Sequence, residues 1–307
     1  MDLYSSFLQG DLRALARALT HVESGKGEAI LSKLRGLKRN ASIIGITGAP
    51  GAGKSTLTDG LIRLCRNSGE KVAVLAIDPS SPFSGGAILG DRIRMLGHVR
   101  DTGVYVRSAA SRGALGGLAQ AVSGMLAVLE AFGFDRIFVE TVGVGQSEVD
   151  IAQIADSVML VLTPAGGDGI QAFKAGIMEI ADLLVVNKSD LPEADRFARN
   201  LKGTLELGHS AHDPSWQPAV IKTVAHKGEG LSNVLDMLNT HRTHLGTEGL
   251  HARRLRRARF EVASSLRTWA ETLSWQASED LLLPVIEGKR SPLEVAQALV
   301  QMIDKHR

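Results

Sequence analysis

The segment GAPGAGKST, residues 48 to 56, constrains this chain more than any other stretch. It fits the pattern G-x-x-x-x-G-K-[ST] from Gly48 through Gly53 and Lys54 to Ser55. A nucleoside triphosphate carries several negative charges that must be met without bulky side chains in the way. Gly48, Gly51 and Gly53 let the backbone turn and approach closely, so that the loop Gly48-Ala49-Pro50-Gly51-Ala52-Gly53 can aim successive N–H groups at the phosphates. Lys54 then reaches the β- and γ-oxygens and the Ser55 hydroxyl coordinates Mg²⁺. Thr56 falls in the first turn of a helix whose positive end faces the anion. A glycine-rich β–α turn with no ligand is the bland alternative. The context argues against it, because the β-branched run SIIGIT precedes the loop and a helical stretch to about Asn67 follows.

The order of the remaining elements predicts the fold. The short apolar runs KVAVLAID, GVYVRS, RIFVET, SVMLVLT, DLLVVN and PAVIKTVA are continuous rather than alternating, as in strands buried on both faces. Helical stretches such as GGLAQAVSGMLAVLEAF and EVDIAQIAD separate most of them, which implies right-handed crossovers and a mostly parallel sheet. The expected class is α/β, a P-loop NTPase fold. Residues 1–40 read as an N-terminal helical extension, with Leu12, Leu15, Ala16 and Leu19 at helical spacing. Residues 41–243 form the nucleotide-binding domain, and 244–307 a C-terminal helical arm with Pro292 in the first turn of its last helix. In such sheets ligands bind at the carboxyl ends of the strands, where the motifs fall.

Composition narrows the function classes. Aromatics are 4% of a chain that is 44% hydrophobic, so aliphatic residues must fill the core. Lys and Arg total 35 against 33 Asp and Glu, a formal +2 that argues against wholesale nucleic-acid binding. The basic run HARRLRRAR is expected on a solvated or dimer-facing helix, and His209, His212, His241 and His244 on the surface. Trp269 and Trp275 are expected to pack the helical arm. Cys65 is the single cysteine, which excludes a disulfide framework or a cysteine metal cluster and leaves it a core or helix-surface residue. The start MDLYSSFLQG lacks the features of a secretory leader, and no stretch of about 20 uncharged apolar residues occurs. A cytoplasmic protein without a membrane partner is expected.

Base choice is read from NKSD, Asn187 to Asp190, after the strand DLLVV. The Asp190 carboxylate can accept two hydrogen bonds from guanine, and adenine would leave that charge unpaired. Asn187 would brace the loop and the Lys188 stem would cover the base, so the expected ligands are GTP and GDP. Asp78 at a strand tip and Asp91 after a loop are candidate metal ligands with Ser55 and Glu140, although either aspartate alone could be a helix cap or a solvated turn. Glu140 stands in ETVGVGQSE where GTPases of the Ras type carry the aspartate of D-x-x-G, and Gly143 could donate its N–H to the γ-phosphate. Lys54, Glu140 and Asp91 are therefore the candidate catalytic groups. Val144 follows Gly143 where Ras-type enzymes place a water-orienting glutamine, Gln146 has no assignable role, and slow turnover without a partner is expected.

With GAPGAGKST, DPSSPFSGGAILGDRIRM, ETVGVGQSEVD, GIMEIAD and NKSD in this order, the chain resembles the MeaB/ArgK-type GTPases over about residues 40 to 240. That resemblance implies a metallochaperone of an adenosylcobalamin-dependent acyl-CoA mutase, such as methylmalonyl-CoA mutase, with GTP hydrolysis gating cofactor loading and the release of damaged cofactor. It implies phosphate and Mg²⁺ roles for Lys54, Ser55, Asp78, Asp91 and Glu140, and a guanine site at Asn187, Lys188 and Asp190. A later loop, Thr223-Val224-Ala225, touches the base through its backbone, since Val224 replaces the usual serine. Gly169 stands after Asp168 where the family pattern has an acidic residue, in a partner-sensing loop that Lys174 closes. The C-terminal helices imply a homodimer. The competing expectations are a nickel-delivery GTPase of hydrogenase or urease maturation, a kinase of periplasmic transport proteins, and a nucleotide-regulated scaffold.

Overall fold

The computed structural model describes residues 2–37, 40–79, 96–98, 100–111, 117–141, 147–164, 176–207, 213 and 215–304. Three helices, α1 (Leu3–Leu8), α2 (Leu12–Glu23) and α3 (Glu28–Lys33), precede β1 (Ser42–Thr47). Then follow α4 (Lys54–Asn67), β2 (Val72–Pro79), β3 (Val104–Ser111), α5 (Gly117–Phe132), β4 (Arg136–Thr141), α6 (Ser147–Ile154) and β5 (Ser157–Leu162). The rest comprises α7 (Ile177–Ile180), β6 (Leu183–Val186), α8 (Ala194–Leu207), β7 (Ala219–Lys222), α9 (Leu231–Gln276), α10 (Glu279–Ile286) and α11 (Pro292–Asp304).

The strands form one sheet in the order β3-β2-β4-β1-β5-β6-β7. Every pair is parallel, as between β1 and β4, where Ile44 lies beside Phe138 and Ile46 beside Glu140. All residues of β1, β4, β5 and β6 are buried, which is why their sequences run apolar without alternation. The continuous run PAVIKTVA yields a shorter strand than its length suggests: β7 ends at Lys222, and Thr223–Ala225 turn away from it.

A core lies on each face. On one, α2 presents Leu15, Ala18, Leu19 and Val22 to Val122, Met125, Leu126 and Leu129 of α5. The Asp11 carboxylate caps α2 by accepting from the Arg13 N–H at 2.8 Å. On the other face, Leu57, Leu61, Ile62 and Cys65 of α4 pack with Leu231, Val234 and Leu238 of α9 over β1 and β2. Cys65 is a core residue, and burial pushes its thiol up to about 12.

The last part of the chain differs from expectation. α9 starts at Leu231 and breaks only at Gly246 (φ 53°, ψ −157°), so the boundary set at 243 falls inside it. Its basic run is solvated only in part: His251, Ala252, Leu255, Ala258 and Arg259 are exposed, but two arginines turn inward. Arg253 is 5% exposed and pairs with Asp182 at 2.7 and 3.2 Å, and Arg257 is 8% exposed and pairs with Glu130 at 3.0 Å. Both carboxylates are themselves buried and need a countercharge. His241 is likewise not a surface residue. It is 1% exposed, with Nδ1 2.8 Å from the Ser157 Oγ and Nε2 3.4 Å from the Asp182 carboxylate, under the Trp216 ring. Burial, with a further contribution from Arg253, lowers its pKa to about 4. His244 is exposed, as expected, and stands 3.2 Å from Asp213, while His209 and His212 lie outside the described residues. Trp275 does not pack the arm within this chain: it is 88% exposed, and Trp269 is exposed as well.

Candidate functional site

Parallel β1, β4, β5 and β6 end on one side of the sheet, and the motif residues collect there. β1 delivers the chain into the glycine-rich loop, where Gly48 has φ 138° and a Cβ would stand 2.1 Å from the Val161 carbonyl oxygen of β5. Only glycine lets the two backbones meet this closely. Gly53 ends the loop at φ 91°, and a Cβ there would meet the Asn187 Nδ2 at 2.3 Å.

Lys54, Ser55 and Glu140 come together below the loop. The Lys54 ammonium donates to the carbonyls of Gly48 at 2.7 Å and Ala49 at 3.1 Å, so the cation lies over the cradle. The Ser55 hydroxyl donates to the Glu140 Oε1 at 2.7 Å. Lys54, Ser55 and Glu140 are all buried. Thr56 points outward from the first turn of α4 and is exposed. Asp78 lies near the carboxyl end of β2, beside Ala110 of β3. Asp91, Gly143, Val144, Gln146, Asp168, Gly169 and Lys174 lie outside the described residues.

Two further groups belong to this cluster. Thr58, one turn along α4 from Lys54, donates to the Lys54 carbonyl at 2.9 Å and stands 3.4 Å from the Glu140 Oε2. Its three-residue spacing from Ser55 on a helix is the signal that could have found it. Glu148, near the start of α6, is half-buried; burial raises its pKa, and the Lys54 charge opposes the rise.

Asn187 forms the second junction. It follows β6 and is 3% exposed, with its N–H bonded to the Leu162 carbonyl at 2.8 Å. Its side-chain amide donates to the Ala52 carbonyl of the loop at 2.9 Å. Its Oδ1 accepts from the Thr223 hydroxyl and the Ala225 N–H, both at 3.1 Å. Lys188 then takes φ 57°, in the left-handed region, and Ser189 bonds the Thr223 carbonyl through both its N–H (3.0 Å) and its hydroxyl (2.9 Å). Lys188 and Asp190 are exposed at the tip, while Thr223, Val224 and Ala225 are buried beneath. One amide thus ties the loop, the NKSD turn and the 223–225 turn together. This arrangement offers close backbone donors and a cation for a polyphosphate, hard oxygens for a divalent cation, and a carboxylate at the rim for a hydrogen-bond donor.

Residues 15–278 match the family described as methylmalonyl-CoA mutase-associated GTPase MeaB. A Pyrococcus abyssi protein named as a GTPase is 49% identical over 265 residues, covering 85% of this chain and 82% of its own. GTPase ArgK of Escherichia coli is 37% identical over 250 residues, 78% of this chain and 75% of that one. Among solved structures, one described as a LAO/AO transport system kinase superposes with a TM-score of 0.69 at 26% identity, covering 98% of this chain and 96% of that one.

Proposed function

This chain belongs to the family of methylmalonyl-CoA mutase-associated GTPases, and from that premise we propose that it is a metallochaperone GTPase of a cobalamin-dependent acyl-CoA mutase. Binding and hydrolysis of GTP gate the loading of adenosylcobalamin onto that mutase and its protection or reactivation. The observation that carries the nucleotide half is the Asn187 junction, because a single buried amide fixes the phosphate loop relative to both segments assigned to the guanine.

In this reading the backbone of residues 48–53 and the Lys54 ammonium hold the β- and γ-phosphates, with Thr56 in the helix turn behind them. The buried Ser55 hydroxyl and Glu140 carboxylate, 2.7 Å apart, are hard oxygen donors that fit Mg²⁺. Asp78 and Asp91 complete the carboxylate set. When bound, Mg²⁺ neutralises charge that develops on the β- and γ-phosphate oxygens. Lys54, Glu140 and Asp91 carry the catalytic roles, and Gly143 donates its N–H to the γ-phosphate. Asp190 accepts from guanine, Lys188 covers the base, and the backbone of Thr223, Val224 and Ala225 closes the base pocket. Val144 supplies no group to orient water, so turnover is slow until the client mutase completes the site.

Residues 1–40 serve as the extension, those from 41 to the break at Gly246 as the G domain, and those beyond it as the arm of a cytoplasmic homodimer. The exposed apolar side chains Val262, Leu266, Trp269 and Ile286 support an arm that buries this surface against a second copy. A second reading, phosphoryl transfer to a transport protein, is favoured by the likeness to the solved transport system kinase. GTP labelled at the γ-phosphate separates the two. Release of free phosphate, faster when a methylmalonyl-CoA mutase is added, is expected; label retained on a protein acceptor would replace this reading with the kinase.

A further inference from the structure

From Leu57 to Cys65 the buried face of α4 is apolar except at Thr58, which is fully buried. A threonine there lowers helix propensity and buries a hydroxyl that needs a partner. The Lys54 carbonyl at 2.9 Å supplies one, the ordinary bond of a helical threonine to the carbonyl four residues back. That bond does not account for the second oxygen within reach. The Glu140 Oε2 lies 3.4 Å from the same hydroxyl, and it belongs to the carboxylate whose Oε1 accepts from Ser55 at 2.7 Å.

The surroundings of that carboxylate give the contact its weight. Glu140 is buried on β4 between Ile46 of β1 and Ala76 of β2, neither of which has a side-chain donor. From α4, Ser55 and Thr58 reach it from successive turns, one to each oxygen. A carboxylate gripped at both oxygens is held against rotation about its terminal bond, which otherwise turns freely. The helix that grips it is itself fixed: Gly60 lies so close to α9 that a Cβ there would stand 2.3 Å from the Leu231 Cδ1. The single Thr58 proton is shared between a carbonyl that the helix ladder already bonds and a carboxylate, the stronger acceptor of the two.

We propose that Thr58 is a positioning residue for the Mg²⁺ site: its hydroxyl fixes the plane of the Glu140 carboxylate, so that Ser55 and Glu140 meet the cation already oriented. This rests on the metal role given to Ser55 and Glu140 above. Thr58 acts through Glu140 alone, so it sets the response to Mg²⁺ and leaves the metal-free affinity for nucleotide unchanged.

The test is calorimetric titration of a non-hydrolysable GTP analogue into the purified chain over a range of Mg²⁺ concentrations, with a chelated buffer as reference and the urea midpoint measured in parallel. The variants are Thr58→Val, Thr58→Ser, Glu140→Gln and the double variant Thr58→Val/Glu140→Gln. Valine keeps the shape of threonine without its hydroxyl. Thr58→Val should raise the Mg²⁺ concentration at half effect about fivefold, the size expected of one hydrogen bond, with the Kd in chelator within about twofold. Thr58→Ser keeps the hydroxyl and should restore most of the Mg²⁺ response, which also serves if the valine variant folds poorly. The double variant should respond to Mg²⁺ no more weakly than Glu140→Gln, as expected of groups acting along one route. A folded Thr58→Val with an unchanged or tighter Mg²⁺ response overturns the proposal, as does an equal loss in chelator or a Thr58→Ser as weak as the valine variant. If that null came with an impaired Glu140→Gln, only the positioning role would fall. An undiminished Mg²⁺ response in Glu140→Gln would remove the metal role of Glu140 and this proposal with it.

Discussion

Asn187→Ala probes the junction most sharply. The substitution deletes one donor and one acceptor that together make three hydrogen bonds, to the Ala52 carbonyl, the Thr223 hydroxyl and the Ala225 N–H. All of these partners belong to buried residues. A buried polar group left without its partner costs about 1–3 kcal/mol, so three at the low end amount to about 3 kcal/mol. That loss divides between the fold and the ligand. The portion that fixes the loop relative to the base-reading turn is felt on binding, and half of the total corresponds to about a tenfold weaker Kd. Urea unfolding should show a lowered midpoint with an unchanged slope, and calorimetry with GDP an affinity reduced about tenfold or more. Asn187→Asp, which keeps the acceptor but turns a carboxylate toward the Ala52 carbonyl, should weaken GDP binding as well. If Asn187→Ala left both the midpoint and the GDP affinity unchanged, the junction would not organise the site.

Three other outcomes follow from the buried polar groups. The neutral His241 should make the protein acid-sensitive. Its folded pKa of about 4 lies below the unfolded value, so between about pH 6.5 and 4 only the unfolded chain takes up the proton and stability falls as pH falls, by about 2 kcal/mol at pH 5; His241→Gln should flatten this part of a urea midpoint series. Arg253→Met strands the Asp182 carboxylate and should cost about 3–5 kcal/mol in denaturant unfolding, with Asp182→Asn added to it restoring part of the loss. Glu140→Gln should abolish most of the gain in GTP affinity that Mg²⁺ gives over a chelated buffer, as read by calorimetry.

The sheet was legible because its central strands are short continuous apolar runs, and burial on both faces writes that pattern into β1, β4, β5 and β6. The loop was legible because close backbone approach at Gly48 and Gly53 excludes any side chain. What local sequence hides is pairing across distance. Arg253 meets Asp182 across 71 positions and Arg257 meets Glu130 across 127, and a run such as HARRLRRAR looks the same whether its arginines face water or two buried carboxylates. The burial of His241 is hidden for the same reason, since Ser157 at the start of β5 and Asp182 just before β6 reach it on α9. Thr58 shares a helix face with Ser55, but that spacing singles it out only once Glu140 is placed opposite both. The strand expected through PAVIKTVA was too long because the hydrogen bonds that draw Thr223 and Ala225 to Asn187 outweigh their strand-like composition.

Titration calorimetry with GTP and ATP, on the wild type and on Asp190→Asn, tests the central claim most directly. Guanine offers donors to the exposed Asp190 carboxylate that adenine lacks, and bonds to a charged group contribute about 1.5–3 kcal/mol each. GTP should therefore bind at least about a hundredfold more tightly than ATP, and the variant should lose most of that margin. Equal affinity for the two nucleotides, or a preference undiminished in Asp190→Asn, would contradict the account.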